Sequence, residues 1–499
     1  MTDEAGIKGC LEPFLNRLPA VKQPEGHIHL KNKLMWTGAI LITYFALTNV
    51  PLFGLAPESQ DLFAMYRAIM AGASGSIVLL GIGPIVTASI ILQLFVGADI
   101  IKLDLSNPSD QAIFQGAQKL LVLVMIVLET VPQIIGGYLR PDVALASTLG
   151  ISPSILTWII FTQVCIGGLL ILFMDEVVSK WGIGSGVGLF IVAGISQALV
   201  GGIVNWQVDY TGLPIGLIPR WQHILTTIPV SQLLSESGLV FLLLRGGVLA
   251  LICTIVVFLV VTYVESVRIE IPLSHSAVRG ARGRFPVKLI YASVLPMILV
   301  RALQANIQMF GMLLWNSHLP FIGHNPAIGA FSGNMAISGI MYYLGPLHGP
   351  GDWIPALVWQ NPELVHLQLW QIALRCVTDL TMMIVGGMIF AIFWIETSGM
   401  GAKSVAAQIQ GSGLQIPGFR RDVGALERVM KRYIPKVTVI GGAFIGALTV
   451  IASLFGLIGN VGGTGLLLTV DIVYQMYEQL ASEQMMEMHP MMRKFLGGE

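Results

Sequence analysis

The sequence predicts an all-α polytopic membrane protein with ten transmembrane helices in two pseudo-symmetric, inverted five-helix halves. Three observations carry that expectation. The 499 residues are 54% hydrophobic and 11% charged, where a soluble globular chain carries about 25% charged residues. Ten runs are long enough, or nearly so, to cross a hydrocarbon layer of about 30 Å. They cover 34–52, 76–97, 120–139, 154–174, 183–204, 246–264, 289–315, 377–395, 437–458 and 461–477. A linker rich in Pro and Gly, 205–245, divides them into five and five. Equal halves with an odd number of spans necessarily run in opposite orientations, which is the arithmetic of an inverted repeat.

Taken in order, the tail 1–33 is polar and basic with Pro13, Pro19 and Pro24. It lacks a compact apolar core ending in a small-residue cleavage site, so the first span is expected to be retained. In the N-terminal half, 34–204, Leu62, Met65, Tyr66, Ile69 and Met70 fall at i, i+3, i+4, i+7 and i+8 and share one helical face. A helix over 58–70 reaches only about 20 Å, too short to cross. Residues 71–75 have little helix propensity and suit a hinge. The run 76–97 is long enough to span and carries Gly81-Ile-Gly-Pro-Ile-Val-Thr87 in its first half. A half-helix joined to a proline-bent span implies irregular backbone sheltered in a cavity; an interfacial hairpin fits the same residues. Gly81 to Val86 and Gly184 to Ile191 both set branched apolar residues among glycines, as an internal repeat or plain helix packing would.

In the C-terminal half, 246–480, two long basic loops stand out, 265–288 with Arg279, Arg282 and Arg284, and 396–436 with Arg420, Arg421, Arg428, Lys431 and Arg432. A tail, 481–499, follows. All Lys and Arg except Arg67, Arg140, Arg220, Arg245, Arg301 and Arg375 lie on the side of the two tails and these loops, so that side is expected to be cytoplasmic. Arginine forks favour phosphate, so the loops suit an RNA-bearing or acidic partner as well as ordinary topogenic charge. The 28 basic and 28 acidic residues balance overall.

Several chemistries find no support. Cys10, Cys165, Cys253 and Cys376 form no CxxC pair and read as apolar fillers. There is no GxxxxGK, no HExxH and no paired aspartates within spans. Ser185 sits in Gly184-Ser-Gly186 without the GxSxG frame of a nucleophile. His318, His324, His348 and His366 in the long loop 316–369 match no metal spacing and read as a polar surface loop. No catalytic residue, metal or cofactor is expected. Inside the spans, Thr87, Glu129, Gln304, Asn306, Gln308 and Arg301 require interior partners, structural or on an ion path. Arg375 and Asp379, at i and i+4, are placed to pair with each other.

Lys33-Leu-Met-Trp36-Thr-Gly38, Gly81-Ile-Gly-Pro-Ile-Val-Thr87, Phe114-Gln-Gly116, Asp175-Glu-Val-Val-Ser-Lys180, Gly182-Ile-Gly-Ser-Gly186, Glu270-Ile-Pro272 and Tyr477-Glu-Gln479 together resemble the SecY family, the pore subunit of the protein translocon, in its archaeal branch. The likeness runs from about residue 22 to 496, weakest in 205–245 and 316–369. It implies a clamshell hinged at the linker, with an hourglass pore that passes secretory polypeptides and releases transmembrane segments into lipid. The pore ring would be Ile82, Val86, Val187, Ile191, Ile298 and Leu468, sealing by dewetting. The short segment 58–71, with Leu62, Met65, Tyr66, Ile69 and Met70, would be the plug. Thr87, Glu129 and Asn306 would line a lateral gate between spans two and three and spans seven and eight, where signal sequences and nascent polypeptides enter. Arg279, Arg282, Arg284, Arg420 and Arg421 would dock a ribosome and contact its RNA, the ribosome supplying the driving force. Small subunits of the SecE (gamma) and beta type would complete a heterotrimer in the plasma membrane, with both termini cytoplasmic. Arg301 is not a residue the resemblance implies at its position. A secondary transporter with an inverted repeat is the competing class; an intramembrane hydrolase lacks its nucleophile and base.

Overall fold

A computed structural model describes residues 19–26, 28–57, 59, 70–97, 100–101, 103, 108–135, 137–208, 212–233, 235–275, 282–288, 294–316, 324–333, 335–398, 400–411, 414–415 and 423–488. Within them, ten long helices follow one another: α1 Leu30–Thr48, α2 Gly83–Gly97, α3 Pro108–Ile135, α4 Pro153–Trp181, α5 Gly186–Val204, α6 Val248–Ser266, α7 Leu295–Asn316, α8 Leu369–Thr397, α9 Val423–Phe455 and α10 Gly463–Met488. Seven of them, α3 to α9, are long and apolar enough to cross a membrane; α2 is apolar but shorter. The linker after α5 stands between the first five of these helices and the last five.

Burial separates centre from periphery. In the most apolar stretch of α7, 61% of residues are buried, against 22% in α6. In α6 the outward side chains Ile252, Ile255, Phe258, Leu259 and Tyr263 are all exposed, which suits a helix facing lipid. The two groups meet along two seams: α2 packs on α7 and α8, and α5 packs on α10.

Several boundaries differ from the sequence expectation. The second span does not begin as helix at residue 76. Its helix starts at Gly83, with Pro84 in the first turn where a missing N–H costs nothing. The preceding residues hold together through loop hydrogen bonds: Leu52 N–H donates to Gly75 O at 2.8 Å and Ile77 N–H to Val50 O at 3.0 Å. Gly75 and Gly81, with positive φ of 69° and 57°, prevent a helix from running through.

The first basic loop is not irregular either. β1 Arg268–His275 and β2 Arg282–Lys288 form an antiparallel hairpin. A short strand from the second basic loop, Leu414–Gln415, joins its edge, Ser274 pairing with Gln415 and His275 with Leu414. Arg428, Lys431, Arg432 and Lys436 sit on the N-terminal turns of α9 rather than in a loop. The loop 316–369, expected as a polar surface loop, contains a hairpin, Ala330–Ser332 with Met335–Ser338, and a small core in which Tyr342, Val358, Leu364 and Leu367 cluster with Ile372 of α8.

Candidate functional site

The site is built where α2 begins. Ile82 N–H donates to Met70 O at 2.8 Å, and Tyr44 Oη donates to Ala71 O at 2.9 Å while its ring stacks on Phe190 at 5.0 Å. The end of the short amphipathic segment is thereby fastened to α1 and to the first residue of the expected ring, with Tyr44 in turn held against α5. Gly81 makes the joint possible, since a Cβ there would lie 2.1 Å from Met70 O. Of the expected plug residues only Met70 is described, and it is buried; Leu62, Met65, Tyr66 and Ile69 lie outside the described residues.

Five of the six expected ring residues are buried: Ile82, Val86, Ile191, Ile298 and Leu468. Val187 is half-buried, and all six belong to one continuous apolar cluster. They come from α2 and its preceding turn, α5, α7 and α10, four of the five helices at the two seams. Ser185 is explained by this arrangement. Its side chain caps α5, accepting from Gly188 N–H at 3.1 Å, while Val187 N–H donates to Asp175 Oδ1 at 2.8 Å. The Lys33–Gly38 motif holds the same corner from the other side, for Thr37 Oγ1 accepts from Ile183 N–H at 3.1 Å.

At the seam of α2 with α3 and α7, Thr87 Oγ1 lies 2.9 Å from Glu129 Oε1, and Asn306 Nδ2 donates to Thr87 Oγ1 at 3.4 Å. Thr87 and Glu129 are buried, so the expected gate triad is brought together. Deeper in the C-terminal group, Arg301 is 3% exposed. Its Nη1 donates to Asp379 Oδ1 at 2.8 Å and to Gln304 Oε1 at 2.6 Å, and its Nε to Thr464 Oγ1 at 3.2 Å. This corrects the expected Arg375–Asp379 pair. Arg375 instead donates to Pro346 O at 3.0 Å, faces Asp352 at 3.5 Å and lies over the Tyr342 ring. A helical spacing of four permits a pair but does not select it over a partner on a facing helix.

Arg279, Arg420 and Arg421 lie outside the described residues. Arg282 and Arg284 are placed on β2, opposite Ser274 and Pro272. The base of this hairpin is clamped to α10, where Glu478 accepts from Arg268 at 3.0 Å and Lys288 at 2.7 Å, contacts that the sequence reading missed.

Two helix groups joined by one linker, with an apolar cluster at their seams and a short segment bonded into it, define a polytopic membrane protein of the helical-bundle class. Family comparison gives the particular assignment. The SecY family matches residues 76–477 and the plug domain of Sec61p matches residues 42–75. The chain is 56% identical to "Protein translocase subunit SecY" of Archaeoglobus fulgidus over 98% of its length and 99% of the relative's. It is 53% identical to the protein of that name from Halobacterium salinarum, covering 99% of each chain. Among solved structures, one described as "The structure of a protein conducting channel" superposes with a TM-score of 0.78 at 38% identity, covering 96% of this chain and 98% of that one. "Sec61 in the Canine ribosome-channel complex from the endoplasmic reticulum" gives 0.75 at 38% identity with the same coverage. The chain belongs to the SecY family.

Proposed function

We propose that this chain is the pore-forming subunit of a protein translocon, a passive channel that moves unfolded polypeptides across the membrane and releases apolar segments sideways into lipid. The joint between Ile82 and Met70 carries the reading, because it ties a plug-domain segment to the start of an apolar ring. Branched and apolar side chains of Ile82, Val86, Val187, Ile191, Ile298 and Leu468 would exclude water from an empty channel and yield around a chain without binding it. The termini and the two basic loops face the cytoplasm of a plasma membrane, the linker 205–245 is the hinge, and small SecE- and beta-type subunits complete the complex.

Site-specific photo-crosslinking from Ile82, Val187 and Ile298 to a stalled secretory chain tests this, with the exposed Ile42 of α1 as control. Adducts confined to the three ring positions are expected. Translocation without any adduct there removes the ring assignment, and failure of any chain to engage favours a transporter.

The triad at the α2–α7 seam acts as a gate latch. Thr87→Val removes the buried hydroxyl that faces Glu129 and accepts from Asn306, and the loss of a buried hydrogen-bonding group of this kind costs about 1 to 3 kcal/mol. Cysteine pairs across α2 and α7 are expected to crosslink less in the idle variant than in the wild type; equal crosslinking would remove the latch.

The basic loops are proposed to dock a ribosome. Reversing charge at Arg284 and Arg420 together is expected to weaken ribosome binding, with the loss greatest at low salt and shrinking as salt screens the charges. Normal binding at low salt would sink the assignment.

A further inference from the structure

The linker between the two helix groups carries a single turn, Val230–Leu233, between two longer helices, Leu217–Thr227 and Glu236–Leu244, at the end of α6 opposite the basic loops. Of the two longer helices, the first packs on the body. The second is unusual in two ways. None of its nine residues is buried, although Leu239, Val240 and Leu243 are 43–50% exposed and its only charged residue is Glu236 at the start. It also runs through Arg245, Gly246 and Gly247 directly into the lipid-facing helix α6.

Geometry fixes where this helix must lie. α6 has 19 residues and reaches about 28 Å, already the thickness of the hydrocarbon layer. Gly247 has a φ of 76°, and a Cβ on Gly246 would stand 2.4 Å from Leu242 O. A left-handed residue ends one helix and redirects the chain, so Glu236–Leu244 is not a continuation of α6 along its axis. Its C-terminal end is held in place. Arg220 Nη1 donates to Arg245 O at 3.0 Å, Trp221 Nε1 donates to Gly246 O at 2.8 Å, and Arg245 Nη2 donates to Gln360 Oε1 at 3.1 Å. The first linker helix, pinned by these bonds, buries Leu217, Pro219 and Ile224 against the body and leaves Ile218 and Leu225 exposed.

We propose that Glu236–Leu244 lies in the lipid interface of the leaflet opposite the basic loops, with Leu239, Val240 and Leu243 in the boundary between headgroups and acyl chains. The argument for lipid is continuity: the helix leads into the N-terminal end of α6, whose outward side chains are exposed, at the membrane's edge. A nine-residue apolar helix is marginal in water, whereas the interface shelters such side chains while the polar ends stay wet. The connection between the two helix groups is thereby anchored to one leaflet.

The full-length protein tests this in proteoliposomes, with its four cysteines replaced by alanine and an NBD fluorophore on Leu239→Cys or, separately, Val240→Cys. Leu259→Cys on α6 gives the lipid-facing reference and Ser482→Cys, exposed on α10, the aqueous one. Brominated acyl chains are expected to quench both linker positions at least about twofold more than Ser482, and iodide, present on both sides, to quench them less. Iodide quenching equal to that of Ser482 without bromolipid quenching overturns the proposal. So does protection from both quenchers with crosslinking to a second copy or to a partner subunit.

Discussion

Arg301→Met alone is expected to lower stability by about 3 to 5 kcal/mol, the cost of leaving a buried carboxylate without its counter-charge. Asp379 is fully buried and Arg301 nearly so, so neither can regain water when its partner is lost. The guanidinium also spans three helices, reaching Asp379 on α8, Gln304 on its own helix α7 and Thr464 on α10. Ile298 lies three residues before Arg301, and Leu468 four residues after Thr464, so loss of the pair loosens two ring positions together. Pairing Arg301→Met with Asp379→Leu is expected to restore most of the stability, because a buried ion pair replaced by apolar groups of similar volume is often neutral. Denaturant unfolding of the purified protein in detergent measures both. If the double variant is as unstable as the single one, the cost comes from packing and the electrostatic account fails.

Gly81→Val is expected to raise the ion conductance of idle channels by roughly an order of magnitude without stopping translocation. A Cβ at this position would meet Met70 O at 2.1 Å and Gly72 N at 2.6 Å, and a β-branched residue disfavours the positive φ, at a cost of about 1 to 3 kcal/mol. The strain is relieved only by breaking the bond from Ile82 N–H to Met70 O, which frees the plug. Deleting residues 60–70 should produce a comparable leak in planar bilayers. A tight Gly81→Val channel beside a leaky deletion would show that the joint does not hold the plug; tight channels in both would remove the plug role itself.

The spanning helices were legible because a membrane demands length and apolarity, and both are one-dimensional properties. Where irregular backbone replaces helix, as over residues 76–82, the apolar character of Val78, Leu79 and Leu80 continues unbroken and hides the change; Gly81 was the available signal. The strands of the first basic loop did carry a signal, since Ile269, Ile271 and Leu273 alternate with Arg268, Glu270, Pro272 and Ser274, but the flanking arginines masked it. Arg301 was recognised as needing a partner, yet Asp379 lies 78 positions away, beyond any periodicity argument. The Arg375–Asp379 expectation failed for the same reason, since tertiary neighbours overrode a local spacing. The corner around Ser185 was visible only as a motif; its physical content, Thr37 and Asp175 receiving the amides of Ile183 and Val187, needed coordinates.

The pairing of Ser274 and His275 with Gln415 and Leu414 sets an order on biogenesis. When the first hairpin leaves the ribosome, the edge of its β1 strand has no partner, because the residues that cover it follow α7 and α8 in the chain. An open strand edge is a template for wrong pairings, and chains are most exposed to them during synthesis. Two more helices must therefore be made and threaded into the bilayer before that edge is closed. A nascent chain arrested just before residue 414 would carry the first five helices of its membrane bundle, three of the second five, and an unfinished sheet.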